Sequence, residues 1–590
     1  MGDWSGAELI TEHLIREGVP YVVGLCGHGD LGLLDALFDR RDDIRTISTH
    51  HEAAAGFIAD AYYRVRREPL ATFTSCGPGS ANLPVALGSA LMDDSALLAI
   101  TGNVATSQFN RGPFQEAGRH YQADFPSALR PFVKRGYQAT RAEQLPLMLR
   151  QAFATMRAGR PGPVHLDVPL DVFVERTTTE PAEPDLWRGA GSNRVAAASD
   201  DIEAVLDLLE AAQRPVLVAG SGAESAAAEL LAFARAAQLP VATSPLGKAA
   251  IGGSDPLSLG ATGRNGSYPA NRACRTADLV IALGTRFDDR ATSSWLPGYT
   301  YAIPPTRLVH VHIDPAELSR NYPATVGIAA SPGEVLRQLT VRWGAKAPPP
   351  SRRTWLDRIT EWADEWERHI APHRWSTATP IRPERVLAEL RGALPADAIL
   401  LADVGAHHNW IVQQWYPHRP GTLLQSWGFA SMGFGVAGAL GARLAAPDTP
   451  VLAVVGDGGF LMLPSVVATA VQYDLPVVWL IWNNGGFISI RDQQRGYFGR
   501  NRELATTFRI DATGEPHRTD FVALARSMGG EGLRVEHPGD LGDAVRVALD
   551  AHRPFVLDVT VDEAATMPSA ATWELAPLPH PEPSFGWPDM

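Results

Sequence analysis

The amino-acid sequence predicts an α/β protein made of three doubly wound parallel-sheet domains. Short, continuously apolar runs alternate with helical stretches along the chain, which is the rhythm of parallel strands joined by crossover helices. With 590 residues, 45% of them hydrophobic, the chain exceeds what a single core requires. Two stretches without apolar periodicity interrupt the rhythm and so separate three blocks.

The first block, residues 1–175, contains the apolar runs YVVGL, LATFTS, ALLAITG and PVHLDVP. Residues 176–200 follow, and their Pro, Thr and acidic composition is typical of a surface linker. The second block, residues 195–345, contains the runs RPVLVAGSGA, LPVATS, ADLVIALGTRFDD and RLVHVHIDP. We therefore expect two α/β domains in this part of the chain.

Three consecutive prolines in GAKAPPPSRR exclude a helix and a central strand, and they mark the second boundary. The third block, residues 380–568, contains AILLADVGAHHNW, VLAVVGDGG, LPVVWLIWNN and PFVLDVTVD. The tail, residues 569–590, is too rich in proline to pack as a regular element. No sequence repeat is detectable, although three blocks of one architectural class could hide a structural repeat.

Composition and charge argue against several classes of protein. The 52 basic and 65 acidic residues give a formal charge of −13, which does not indicate the broad cationic surface of nucleic-acid binding. Three cysteines, Cys26, Cys76 and Cys274, are too few for a disulfide framework or a four-ligand zinc site. No apolar run approaches the roughly 18 residues of a membrane span. We expect a soluble, cytoplasmic protein without nucleic-acid or membrane partners.

Polar residues follow two buried strands of the third block. Asp457 stands in VVGDGGFLML and Asn484 in WLIWNNGG, so both lie just beyond the carboxyl ends of parallel strands, where ligands bind in open α/β sheets. Their oxygens suit Mg²⁺, and Gly456, Gly458 and Gly459 let the backbone approach a phosphate closely. Taken singly, Gly-Asp-Gly is a common turn and Asn-Asn a common strand terminator.

The two motifs together resemble the signature of thiamine-diphosphate-dependent enzymes. The resemblance implies that the side chains of Asp457 and Asn484, with the carbonyl of Gly486, bind Mg²⁺ and through it the diphosphate of the cofactor. It also implies the identity of the three domains: an N-terminal pyrimidine-binding domain, a central dinucleotide-type domain and a C-terminal diphosphate-binding domain.

A glutamate is expected beside the pyrimidine ring of this cofactor, where it exchanges a proton with a ring nitrogen. HHEAAAGFIADAYYR resembles the family segment RHEQGAGHMADGYAR and places Glu52 in that position. Without the resemblance, a glutamate in a first helical turn would merely complement the helix dipole. In the family this residue reaches a cofactor whose Mg²⁺ site belongs to another subunit. The resemblance therefore implies a homodimer or homotetramer with active sites at the subunit interface.

Three more segments resemble cofactor-binding parts of the family: TSCGPGSAN, DVGAHHNW and QSWGFASMGFGVAGALGARLA. The implied cofactor contacts are Gly77, Asn82, His407, Gly428, Ser431 and Met432. Met432 would lie under the cofactor and bend it, whereas the simpler interpretation is a core methionine at a helix start. His408 has no counterpart in the family motif, and we expect it to be a surface or packing residue.

The closest resemblance, over roughly residues 5–560, is to the catalytic subunit of acetolactate synthases. GPFQEAGRH resembles the family segment DAFQE, which implies that Gln115 lies near the reacting carbon. ADLVIALGTRFDDRAT resembles ADLLIAIGARFDDRVTG in the domain that binds FAD in the family, which makes Arg286 and Arg290 the implied FAD contacts. A solvated charge cluster is the alternative for this segment. FAD stays an open possibility here, because His312 stands where the family usually has an aspartate.

Two departures from the synthases concern the substrate pocket. VVGLCGHGDLGLLDAL brings His28 into a loop that the synthases line with glycine, and we expect this imidazole to handle protons during the reaction. The alternative is that His28 only shapes the turn. NNGGFISIRDQQRGYFG places Gln493 where the synthases have the tryptophan that shapes the second-substrate pocket, so the acceptor pocket has been rebuilt.

The resemblance implies decarboxylation of a 2-oxo acid such as pyruvate, followed by carboligation of the resulting enamine to a second carbonyl compound. GHGD is also similar to the GHGN of the trihydroxycyclohexanedione hydrolases, which use the same cofactor, so hydrolysis of a C–C bond in a cyclic dione is the alternative. A catalytically silent homologue is a third possibility, disfavoured because Glu52 and the metal pair are present.

Overall fold

The computed structural model describes residues 2–116, 124–187, 194–499 and 501–568. Within these residues the chain forms three parallel sheets of six strands each, which confirms the predicted α/β class with three doubly wound domains. The predicted tail, residues 569–590, lies outside the described residues. No helix among the described residues has the length and apolar composition required to cross a membrane.

The N-terminal domain has the strand order β3-β2-β4-β5-β7-β6, and a short antiparallel ribbon of β1 with β8 joins its two ends. Its strands are β1 (Trp4–Ser5), β2 (Tyr21–Leu25), β3 (Arg45–Ser48), β4 (Ala71–Thr74), β5 (Leu98–Asn103), β6 (Arg135–Gln138), β7 (Val164–Pro169) and β8 (Arg176–Thr177). Its helices are α1 (Gly6–Arg16), α2 (Leu31–Asp39), α3 (Glu52–Arg66), α4 (Pro78–Ala81), α5 (Pro84–Met92), α6 (Phe125–Leu129), α7 (Leu145–Arg157) and α8 (Leu170–Val174).

The central domain has the order β11-β10-β9-β12-β13-β14, which is the strand order of dinucleotide-binding folds. Its strands are β9 (Pro215–Ala219), β10 (Val241–Thr243), β11 (Ser258–Ala261), β12 (Leu279–Leu283), β13 (Arg307–His312) and β14 (Val326–Ala329). The helices of this region are α9 (Ser199–Ala211), α10 (Ala227–Ala237), α11 (Tyr268–Thr276), α12 (Pro332–Trp343) and α13 (Ser351–Arg374).

The C-terminal domain has the order β16-β15-β17-β18-β20-β19. Its strands are β15 (Ile399–Ala402), β16 (Leu423–Gln425), β17 (Val451–Gly456), β18 (Val478–Asn483), β19 (Glu531–Val535) and β20 (Phe555–Thr560). Its helices are α14 (Pro383–Ala393), α15 (Ala406–Gln414), α16 (Phe434–Ala445), α17 (Asp457–Phe460), α18 (Val466–Gln472), α19 (Ile488–Phe498), α20 (Phe521–Ser527) and α21 (Leu541–Asp550).

The N-terminal and C-terminal sheets share one strand order. When the strands are numbered within each six-stranded sheet, both sheets read second, first, third, fourth, sixth, fifth strand. A structural repeat is therefore present although the sequence shows none. The two repeats pack together through α3 and α16, whose facing residues are small: a Cβ on Gly441 would lie 2.0 Å from the carbonyl oxygen of Ile58, and one on Gly438 would lie 3.1 Å from Ala61 Cβ.

A buried ion-pair network also joins these two domains. Arg64 on α3 bonds Asp60 at 2.7 Å and Asp93 at 3.2 Å, and it donates to the main-chain carbonyl of Gln425 on β16 at 2.6 Å. The Asp93 carboxylate in turn accepts the main-chain N–H of Gly428 at 2.7 Å. The arginine and both carboxylates are almost fully buried, so removing any one of them would leave an uncompensated charge at the domain boundary.

Candidate active site

The register of β17 with β18 brings the two predicted metal motifs to one edge of the C-terminal sheet. Gly456, the last residue of β17, pairs with Trp482, next to the last residue of β18. The strands therefore end nearly level, so Asp457 and Asn484 lie side by side beyond their carboxyl ends. The register of the two strands therefore brings Asp457 and Asn484 to the same edge of the sheet.

Asp457 is a buried carboxylate surrounded by main-chain donors. Its Oδ2 accepts from the N–H groups of Gly485 at 2.7 Å and Gly486 at 3.0 Å, and its Oδ1 accepts from Gly458 at 2.8 Å. Burial nevertheless raises its pKa to about 6, since desolvation of the charged form outweighs these hydrogen bonds. A cation would offset that penalty, and the hard oxygens of Asp457, Asn484 and the Gly486 carbonyl fit Mg²⁺.

Two glycines of this edge are sterically required. A Cβ on Gly458 would lie 2.5 Å from the ring of Phe487. Gly486 has a φ of +155°, and a Cβ there would lie 2.2 Å from the carbonyl oxygen of Thr506. The turn after β18 therefore packs too tightly against the chain around Thr506 for any other residue.

His407 stands in the first turn of α15, across from Gly456. Its ring is buried, and among the residues that the structure describes its Nε2 has no hydrogen-bond partner. Burial lowers its pKa to about 3, so the ring is neutral. A buried, unpartnered ring nitrogen beside a glycine turn fits a ligand with phosphate oxygens, which agrees with the predicted diphosphate contact.

These residues enclose a cavity of about 510 Å³, hereafter the diphosphate cavity. The predicted residues on its wall are Arg290, His407, Met432, Gly456, Asp457, Gly458, Gly459, Asn484 and Gly486. Phe487, Ile488, Ile490 and Leu504 give one side of the wall an apolar character. Gln494, and not Gln493, lines the cavity; Gln493 donates instead to the carbonyl of Ser489 at 3.1 Å.

Gly428 and Ser431 flank Met432 but do not line the diphosphate cavity. The N–H of Gly428 is bound to Asp93, and a Cβ on Gly428 would lie 2.9 Å from that carboxylate. Ser431 is buried, and within the described part of the chain its hydroxyl has no hydrogen-bond partner. The loop before α16 is thus anchored on the N-terminal domain and presents Met432 to the cavity.

The N-terminal group of predicted residues lies outside the diphosphate cavity. Glu52 begins α3 and is buried, and its Oε2 accepts from Asn82 Nδ2 at 2.8 Å. The neighbouring turn carries Gly77, whose φ is +58° and whose Cβ would lie 1.8 Å from the Gln115 carbonyl oxygen. These contacts define one cluster, hereafter the N-terminal cluster, which contains Glu52, Asn82, Gly77 and Gln115. Within one chain this cluster is separate from Asp457 and Asn484.

His28 belongs to this N-terminal cluster. It lies directly after Gly27 in the loop beyond β2, and its exposed ring places Nε2 3.6 Å from the sulfur of Cys76. Burial raises the pKa of the Cys76 thiol, so the sulfur stays protonated and uncharged. Among the described residues, the imidazole thus has one weak hydrogen-bond partner and one ring contact, Phe114 at 6.2 Å between centroids, and it is exposed enough to meet a ligand or a neighbouring subunit.

A second cavity, of about 480 Å³, lies between the domains at the carboxyl ends of β9 and β12. Gly222, Gly284 and His312 are on its wall. The two arginines predicted to contact FAD are elsewhere: Arg286 donates to the carbonyl of Met92, and Arg290 lines the diphosphate cavity. Arg286 also lies 3.9 Å from Asp94, which is on the wall of the second cavity, and FAD contacts at Arg286 and Arg290 stay a prediction.

Sequence reasoning missed three residues of this site. His408, expected at the surface or in packing, is buried in the wall of the diphosphate cavity, and Trp427 lies against it with ring centroids 5.1 Å apart. Asp403 accepts the N–H groups of Gly433 and Gly435 beneath the Met432 loop. The adjacent pair His407-His408 was the only signal in the sequence for any of them.

Comparisons with known proteins agree with this arrangement. Three family models match the chain: the thiamine pyrophosphate enzyme N-terminal TPP binding domain over residues 4–123, the central domain over 202–339 and the C-terminal TPP binding domain over 403–559. Their order along the chain is that of the three sheets.

Curated relatives cover nearly the whole chain. It is 34% identical to the acetolactate synthase large subunit of Parasynechococcus marenigrum, over 99% of this chain and 92% of that protein. It is 32% identical to the acetolactate synthase isozyme 3 large subunit of Escherichia coli, over 95% of both chains. It is also 32% identical to the probable acetolactate synthase large subunit of Methanocaldococcus jannaschii, over 96% of this chain and 93% of that protein.

Proposed function

The chain belongs to the thiamine pyrophosphate enzyme family, and on that basis we propose that it decarboxylates a 2-oxo acid such as pyruvate and joins the remaining fragment to a second carbonyl compound. The domain models and relatives identify a thiamine-diphosphate-dependent enzyme of the transferase or lyase type. The donor and acceptor specificity is our proposal. The observation that carries it is the diphosphate cavity, whose wall includes Asp457, Asn484, Gly486, Met432 and Arg290.

Thiamine diphosphate, when bound, supplies the nucleophilic carbon and the electron sink for loss of carbon dioxide. We propose that Asp457, Asn484 and the Gly486 carbonyl hold Mg²⁺, and that the ring of His407 contacts the diphosphate through Nε2. Glu52 would hold a proton at Oε1, because Asn82 already occupies its Oε2. The half-buried guanidinium of Arg290 offers a cation to the carboxylate of a 2-oxo acid in the cavity.

The apolar side of the cavity, formed by Phe487, Ile488, Ile490 and Leu504, would exclude water from the bound fragment. Exclusion matters because water would otherwise compete with the second carbonyl compound. We further propose that the active unit is at least a homodimer, since Glu52 lies outside the cavity that contains Asp457. A partner chain would then supply the glutamate. FAD binding stays a prediction, and the absorption spectrum of the purified protein tests it.

The experiment that tests the proposal is incubation with pyruvate, thiamine diphosphate and Mg²⁺ against a panel of aldehydes and 2-oxo acids, with mass spectrometry of the products. We expect carbon dioxide and a 2-hydroxyketone from the parent and neither from Glu52→Gln. Exposed Glu515→Gln is the matched control and should behave as the parent. Full thiamine diphosphate binding without any condensation product would contradict the proposal.

Hydrolysis of a cyclic dione is the second candidate, and the position of His28 favours it. The imidazole is exposed beside the N-terminal cluster that contains Glu52, where it could deliver a proton to a ring-opened product. A cyclic 1,2-dione and a cyclic 1,3-dione in the same assay separate the two candidates. If the enzyme opens the ring of a dione in the absence of a 2-oxo acid, its function is hydrolysis and not carboligation.

A further inference from the structure

His408 lies in the wall of the diphosphate cavity, and its ring is held on two sides. It follows His407 in α15 and is only 4% exposed. Trp427 meets it edge to face, with an interplanar angle of 86°. On the other side, His408 Nε2 is 2.9 Å from the side-chain oxygen of Gln425. The ring therefore has one fixed orientation.

The partners of Gln425 determine which nitrogen of His408 carries the proton. Gln425 Nε2 donates to the carbonyl oxygen of Pro245 at 2.6 Å, and a carbonyl can only accept. The oxygen of the Gln425 amide is consequently the atom that faces His408, so Nε2 of the imidazole must donate the proton. Burial lowers the pKa of His408 to about 4, and the ring is neutral at physiological pH. Nδ1 is left with a lone pair and no proton.

The structure gives Nδ1 no hydrogen-bond partner within the described residues. Arg290 lines the same cavity as His408. The guanidinium can only donate, whereas Nδ1 can only accept. A ligand that satisfies both must therefore carry an anionic or carbonyl oxygen and, close to it, an O–H or N–H group.

We propose that His408 is a ligand-binding residue that selects the second substrate: its Nδ1 accepts a hydrogen bond from a hydroxyl group next to the carboxylate or carbonyl bound by Arg290. The substrate class is thus hydroxylated 2-oxo acids and hydroxyaldehydes, in preference to their deoxy analogues. A ketone oxygen alone cannot occupy this position, because it would face a lone pair. The inference rests on the proposed carboligation and names the acceptor for it.

The test compares hydroxypyruvate with 2-oxobutanoate as acceptors for labelled pyruvate, since the two differ only by a hydroxyl in place of a methyl group. The measured quantity is the ratio of their kcat/KM values in the holoenzyme. In His408→Phe, which keeps the ring and loses both nitrogens, we expect this ratio to fall about 3- to 10-fold, the range for one neutral hydrogen bond. Exposed His537→Phe is the matched control and should leave the ratio unchanged.

A second variant addresses the tautomer itself. Gln425→Leu leaves the imidazole of His408 in the cavity wall but removes the acceptor of its Nε2–H. The imidazole can then turn, and the preference for the hydroxylated acceptor should weaken in the same direction. A structural role alone would lower kcat/KM for both acceptors equally. The inference would be overturned if the ratio of kcat/KM values were unchanged in both variants. It would also be overturned if His408→Phe had a higher ratio than the parent enzyme.

A binding measurement separates this inference from the proposed function. Calorimetry of the holoenzyme with glycolate and with propanoate compares hydroxyl with methyl without any turnover. We expect His408→Phe to weaken glycolate about 3- to 10-fold relative to propanoate. If this holds while no acceptor yields a product, the carboligation proposal fails and the hydroxyl site stands. If products form but neither ratio moves, the hydroxyl site fails and carboligation stands.

Discussion

Asp403 is a buried carboxyl that supports the loop carrying Met432. Its Oδ1 accepts from the N–H groups of Gly433 at 3.0 Å and Gly435 at 3.1 Å, at the start of α16. Burial nevertheless raises its pKa to about 6, because desolvation outweighs the hydrogen bonds and the favourable helix dipole. The folded chain therefore binds a proton here more tightly than the unfolded chain does.

The raised pKa of Asp403 predicts a pH-dependent stability. The contribution is fully present below the unfolded pKa, about 3.9, and is lost as the pH rises through about 6. Relative to Asp403→Asn, whose amide does not titrate, the parent should lose roughly 2 to 3 kcal/mol between pH 4 and pH 7. Thermal unfolding of both cofactor-free proteins at several pH values measures this difference. A difference that is constant with pH would contradict the assignment.

His28 lies in the exposed loop after β2, and the sequence predicts that it handles protons. If its imidazole handles protons, His28→Ala should slow turnover about 10²- to 10⁴-fold with nearly unchanged affinity for thiamine diphosphate. Cys76→Ala is the matched control, since it removes only the weak partner 3.6 Å away. Turnover of His28→Ala at the parent rate, or a loss of cofactor affinity instead, would assign His28 to the scaffold.

At the scale of elements, the contact between α3 and α16 decides how the two repeats fit together. Gly441→Ala would place a Cβ 2.0 Å from the Ile58 carbonyl, and backbone cannot move aside cheaply. We expect a loss of about 3 kcal/mol or more in the free energy of unfolding. Gly392→Ala, in α14 with nothing within 4 Å, is the matched control and should gain about 0.4 to 1 kcal/mol. Thermal unfolding compares the two, and equal effects would contradict close helix packing.

The central strands of the three sheets could be predicted because each is a continuous apolar run that ends at a turn residue. Edge strands such as β6 (RGYQ) and β19 (EGLRV) could not, because they are half polar and partly exposed. The order of the strands could not be predicted either, since the same runs are compatible with several orders of a parallel sheet. Helix α13 was missed because it follows three prolines, although its tryptophans Trp355, Trp362 and Trp366 are buried beside the central domain. The repeat of strand order stayed hidden because it depends on backbone connections and not on residue identity.

The site residues also divide into those that could be predicted from the sequence and those that could not. Asp457 and Asn484 could be predicted because strand ends place them, and strand ends are local. His408 and Asp403 could not, because their roles come from residues distant in sequence: Gln425 fixes the tautomer of His408, and Gly433 and Gly435 bind Asp403. The position of Arg290 on the wall of the diphosphate cavity could not be predicted, because sequence alone does not reveal which of two neighbouring cavities a side chain enters.

For the whole molecule, the proposal that two subunits share each active site predicts the activity of mixed subunits. Glu52→Gln and Asp457→Ala should each be inactive alone, the second because it loses a proposed Mg²⁺ ligand. After subunit exchange, a mixed dimer contains one site with both native groups, so an equal mixture should recover about a quarter of the parent activity. Native mass spectrometry confirms the exchange. Exchange without any recovered activity would place both residues in the same subunit's site.

The separation of Glu52 from the cavity of Asp457 also predicts how mutant and parent chains behave when they are expressed together. A chain carrying both Glu52→Gln and Asp457→Ala would spoil each site of any dimer that it enters, because each site draws one of the two residues from it. Such a chain would be dominant over the parent when both are expressed together, whereas either substitution alone would behave as partly recessive. The separation of two residues within one subunit would thus determine whether a substitution is dominant or recessive.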